Sequence, residues 1–111
     1  MKKVALITIG CGHKDGSEIT ETVSSIVALS EFKADIHFFS FDEDFPVCGS
    51  ETEKRNSLVE TQRISRGKTK KITSLNPDEF DALVIPGGSG LLLQLTSWNQ
   101  DNFAFKVHPE L

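Results

Sequence analysis

Cysteine is scarce in this chain: Cys11 and Cys48 are its only two, and no C-x-x-C pair occurs. That excludes a disulfide framework and a thiolate zinc site, and makes a reducing, cytoplasmic compartment the default expectation. Excess positive charge is missing too. A net charge of -4 and a pI near 5.3 leave no field to draw in a polyanion, so no nucleic-acid partner is expected. The one basic run, Arg63 to Lys71, has no aromatic side chain on which a base could stack, and reads as a solvated helix end and loop. Lys2-Lys3 ahead of Val4 to Ile9 has the outline of a secretory signal, but the apolar run is short and meets Gly10-Cys11-Gly12. It reads as a buried strand, and no membrane partner is expected. Internal repeats, low-complexity tracts and Pro/Gly/Ser linkers are absent, so residues 1–111, at 12.3 kDa, fit part or all of a single domain.

What is present alternates between strand and helix patterns. Val4 to Ile9 is a continuous aliphatic run, as in a central parallel strand covered on both faces. Asp15 to Ser17 offers helix caps, and Ile19, Val23, Ile26, Val27 and Ser30 fall on one stripe of an amphipathic helix. Ala34 to Phe41 reads as a second strand. From Ser50 to Gly67 the polar composition with Leu58, Val59 and Ile64 predicts a weakly amphipathic helix closed by glycine. Asn76-Pro77 starts a single helical turn, Asp81 to Ile85 is another buried strand, and Leu91 to Leu95 can begin a helix. Trp98 to Leu111 shows no clear period. These elements predict an α/β parallel sheet with uncovered edges and faces, and hence self-association or a second chain covering them.

Two glycine clusters sit at strand ends, where open α/β sheets place their ligands. Gly10 to Gly16 precedes a helix and could cradle a phosphate, although its spacing fits neither the dinucleotide fingerprint nor a P-loop. Cys11 lies beside that helix start and is a nucleophile candidate by position, but none of His13, His37 and His108 can be placed as its base from the sequence. Glu18 stands three residues after Asp15, the spacing of a capping box, so it is a cap as well as a candidate site carboxylate. Gly87-Gly88 after Pro86 lets backbone N–H groups face a ligand, which an oxyanion hole requires. The sequence does not support Ser89 as a nucleophile, because the G-x-S-x-G pattern fails where Leu91 takes the place of its last glycine.

Taken in order, Gly10-Cys11-Gly12, Asp15-Gly16-Ser17-Glu18-Ile19, Arg55-Asn56, Arg63-Ile64 with Arg66-Gly67, and Asp81 to Gly88 resemble the ElbB family, the enhancing lycopene biosynthesis proteins of the DJ-1/PfpI, class I amidotransferase-like superfamily. The resemblance runs from residue 3 to about residue 90. It implies a flavodoxin-like three-layer sandwich of which this chain is the N-terminal half, a link to isoprenoid biosynthesis, and glyoxalase-type chemistry on small dicarbonyls without cofactor or metal. It further implies that Glu18 hydrogen-bonds a nucleophilic thiol, that Gly88 donates its backbone N–H to the oxyanion, and that the elbow cysteine itself lies beyond Leu111. Ser89 to Leu95 departs from the family's Phe-Gly-Ala-Ala-Lys-Asn-Leu. A noncatalytic remnant or binding module, and a flavodoxin-like phosphate or nucleotide binder, are the alternatives.

Overall fold

In the computed structural model, residues 1–97 and 106–111 are described; the part of the unpatterned tail from Trp98 to residue 105 lies outside them. Strand β1 (Lys3–Ile7) leads through a glycine loop into helix α1 (Ile19–Glu31) and strand β2 (Asp35–Ser40). A two-stranded antiparallel hairpin of β3 (Asp44–Pro46) and β4 (Lys54–Asn56) follows, then α2 (Ser57–Ser65) and β5 (Thr69–Lys71). Two 3-10 turns, Ile72–Ser74 and Pro77–Glu79, lead to β6 (Ala82–Val84) and α3 (Ser89–Leu95). The main sheet runs β5-β2-β1-β6, and every pairing in it is parallel. The fold is a flavodoxin-type α/β sheet with helices, as the sequence leads one to expect.

Strand β1 is central and buried on both faces, which is why its sequence is unbroken aliphatic rather than alternating. Ala5, Ile7 and Ile9 join Phe39, Phe41, Ile72 and Leu95 in the core, with Leu75, Phe80, Ile85 and Leu91 packed against them. On the opposite face Thr8 meets Thr61 of α2 through their hydroxyls. Thr61 Oγ1 also accepts the Gly10 N–H at 3.0 Å, fixing the start of the glycine loop on the helix layer.

Three expectations need correction. The Ser50 to Gly67 helix is shorter, because Lys54–Asn56 pairs with Asp44–Pro46 and Asn56 caps α2 by accepting the Val59 N–H at 3.1 Å. The basic run is not only helix end and loop: Thr69–Lys71 forms an edge strand on β2, its lysine side chains exposed. Finally, α1 turns a different face inward. Thr22, Ser25, Ile26 and Leu29 are its buried or half-buried positions, while Ile19, Val23 and Val27 are exposed.

Strand β6 is the other edge of the sheet, with Leu83 at 56% exposure. Beside it an apolar cleft of about 330 Å³ is lined by Ala5, Ile7, Leu75, Phe80, Leu83 and Leu111.

Candidate functional site

The loops after β1 and β6 interlock at the carboxyl edge of the sheet. Glu18 N donates to Gly87 O at 2.7 Å, and Gly90 N donates to His13 O at 2.9 Å. A Cβ on Gly90 would fall 1.9 Å from Gly16 N, so only glycine lets the backbones meet. Gly88 has φ +138, and a Cβ there would lie 2.9 Å from Glu18 N and 2.4 Å from Gly16 O. Gln94 adds a side-chain tie, donating from Nε2 to Asp15 O at 2.5 Å while its Oε1 accepts from Ser57 Oγ at 2.5 Å. Gly87, Gly88 and Glu18 are thus brought together, although they stand far apart in the chain.

Glu18 is itself the N-cap of α1, one position earlier than a first-turn residue: its Oε2 accepts the Glu21 N–H at 2.7 Å. The Asp15–Glu18 capping box does not form, because Asp15 Oδ2 accepts from Cys48 N at 2.8 Å instead. The Glu21 N–H, followed by groups of Thr20 and by His13, holds the Glu18 carboxyl below its ordinary value. It is therefore an ionised acceptor beside the Gly87-Gly88 backbone. The Glu21 carboxylate, which no motif or spacing singles out, lies 3.0 Å from where a Cβ of Gly87 would be.

Cys11 is not gathered into this arrangement by any hydrogen bond. Its Sγ lies 3.9 Å from Glu60 Oε2; burial first, and then Glu60, push the thiol up, only partly offset by Arg63 and Arg55. That is the opposite of what an activated thiolate requires. The phosphate cradle also loses its donors. Gly10 N is taken by Thr61, Gly12 N by Ser17 O, Gly16 N by Gly12 O and Ser17 N by Ile9 O.

His13 joins the site unexpectedly: its Nε2 is 2.9 Å from Ser89 Oγ. No periodicity or motif connects residues 13 and 89; only the sheet order does. Among the described residues, Glu43, His108 and Glu110 also cluster, with donor atoms within 4.8 Å of one another. The imidazole is spent there as a clasp, with Nε2 on Glu43 at 2.5 Å and Nδ1 accepting from Glu110 N at 3.0 Å.

No protein-family model matches the chain. It is 36% identical over 118 aligned residues to the mitochondrial ES1 protein homolog of Rattus norvegicus, and 35% identical over 116 residues to the mitochondrial glutamine amidotransferase-like class 1 domain-containing protein 3 of Homo sapiens. Its homologues are ES1 and class I glutamine amidotransferase-like proteins. These alignments take in 98% of this chain but 44% and 43% of the two relatives, so the chain spans somewhat under half their length. A crystal structure of an isoprenoid biosynthesis protein with an amidotransferase-like domain from Ehrlichia chaffeensis superposes with a TM-score of 0.88 at 34% identity, over 99% of this chain and 53% of that one. The cytoplasmic expectation is overturned: the rat and human relatives, and the ES1 protein of Danio rerio at 24% identity, are mitochondrial. Scarce cysteine marks a reducing compartment without saying which one.

Proposed function

We propose that this chain supplies the carboxylate-and-oxyanion half of an ElbB-like, class I amidotransferase-like domain. Its nucleophilic thiol stands in the part of such a domain that these residues do not include. The reading rests on one observation above the others: the ionised Glu18 is locked by its Glu21 N–H bond and by the Glu18 N to Gly87 O bond directly against Gly88. A carboxylate there can accept a hydrogen bond from a thiol, and a backbone N–H of Gly88 can receive the negative charge that builds on a carbonyl oxygen under attack. Substrates of this site are small dicarbonyls, and the wider role is in isoprenoid biosynthesis, the setting named for the Ehrlichia chaffeensis protein.

Glu18→Gln is the discriminating variant, because a glutamine Oε1 still caps α1 but carries no charge. With protein isolated from its native source, dicarbonyl turnover should fall by at least about 100-fold in Glu18→Gln while the melting temperature stays close to wild type. Turnover unaffected by the substitution would refute the assignment of Glu18. Absence of turnover in the wild type would instead favour a noncatalytic binding module, the reading supported by the exposed Leu92 and Leu93 that follow the Gly88 loop.

A further inference from the structure

The chemistry proposed above makes no use of the His13–Ser89 pair. Ser89 opens α3 directly after the loop that leaves β6, so it stands on a strand–turn–helix junction. That placement is what a nucleophile elbow achieves: it exposes the Oγ at the carboxyl edge of a sheet. The strained backbone of a true elbow is not reproduced, because Ser89 has no positive φ; its Oγ is exposed through its place at the start of α3. A base is in place as well, since His13 Nε2 is 2.9 Å from Ser89 Oγ, within reach of the hydroxyl proton.

The pair is also held still. His13 O accepts from Gly90 N at 2.9 Å, and the backbones of Gly90 and Gly16 touch so closely that no side chain fits between them. Both side chains remain exposed, so a substrate can reach them.

We infer that Ser89 and His13 form a serine–histidine nucleophile pair that accepts the acyl group of a small carboxylic ester, an activity separate from any thiol chemistry of the site. Ser89 Oγ bonds to the ester carbonyl carbon as its proton passes to His13 Nε2. The tetrahedral adduct collapses with cleavage of the carbon–alkoxy bond, and the leaving alcohol carries away the proton from His13. Water then attacks the acyl-serine with His13 as base, releasing the carboxylic acid and restoring both side chains.

The test uses the protein and its variants isolated from the native source with a fluorophosphonate probe, which bonds to an activated serine with loss of fluoride, together with p-nitrophenyl acetate hydrolysis. The expected result is one adduct on the peptide carrying Ser89, absent in Ser89→Ala and formed at least about 100-fold more slowly in His13→Gln. Cys11→Ala and Cys48→Ala should label as wild type does. Ester hydrolysis should follow the same order, with melting temperatures unchanged in Ser89→Ala because only an exposed hydroxyl is removed. No adduct on Ser89 in the wild type, or labelling at an undiminished rate in His13→Gln, would overturn the proposal and leave the contact as a tie between two loops. Neither outcome depends on the Glu18 assignment, whose readout is dicarbonyl turnover.

Discussion

Glu18 shows how one residue can serve the fold and a site together. Its capping role was legible from spacing, but the sequence assigned it to a box with Asp15, and the structure gives the cap to Glu18 alone. Because the Glu21 N–H lowers its pKa, Glu18 contributes stability that is present above its ordinary value of 4.5 and is lost as the pH falls through the lowered folded-state value. Urea titrations between pH 6 and roughly pH 3 should accordingly show a shallower acid limb in Glu18→Gln than in wild type. Identical limbs would mean that the Glu21 bond does not persist in solution. Gly90 is the second residue whose importance was hidden. It belongs to the glycine cluster after Pro86 but nothing in the sequence shows what its backbone meets, and Gly90→Ala would drive a methyl into the Asp15-Gly16 backbone, at a cost of about 3 kcal/mol or more. Chemical denaturation would measure that loss, and a change below about 0.5 kcal/mol would show that the two loops do not interlock as described.

At the level of elements, the central strands were readable because burial on both faces leaves an unmistakable aliphatic run, as in Val4 to Ile9. The elements that were missed carry little apolar signal. Strand β5 is Thr-Lys-Lys, and β3 and β4 hold Pro46, Lys54 and Arg55 on short exposed edges. The inward face of α1 was misassigned for a different reason. Thr22 and Ser25 can turn inward because their hydroxyls donate to Glu18 O and Glu21 O, each at 2.7 Å, so the helix satisfies its own buried polar atoms. Counting apolar residues alone selects Ile19, Val23 and Val27, which instead stay at the surface. At the other end of the sheet, no strand among the described residues pairs with the outer edge of β6, and that edge with its apolar cleft is predicted to associate with a second chain or a second copy. Sedimentation at high micromolar concentration should show species larger than the monomer, reduced in Leu83→Lys. A sharp monomeric boundary for the wild type would contradict this.

For the whole molecule, the sheet order explains why half of the site was legible and half was not. Motifs such as Gly10-Cys11-Gly12 and Pro86-Gly87-Gly88 can be read as strings. That β6 lies beside β1, which carries Ser89 to His13 and Gly88 to Glu18, follows only from the order β5-β2-β1-β6. The relatives are about twice as long as this chain. The central claim is that residues 1–111 support a thiol which is neither of their own cysteines. Its most direct test is iodoacetamide labelling of the protein from its native source, with the fastest-reacting thiol located by peptide mapping. The account predicts that this thiol lies outside residues 1–111 and reacts more slowly in Glu18→Gln. Labelling confined to Cys11 and Cys48 would contradict it.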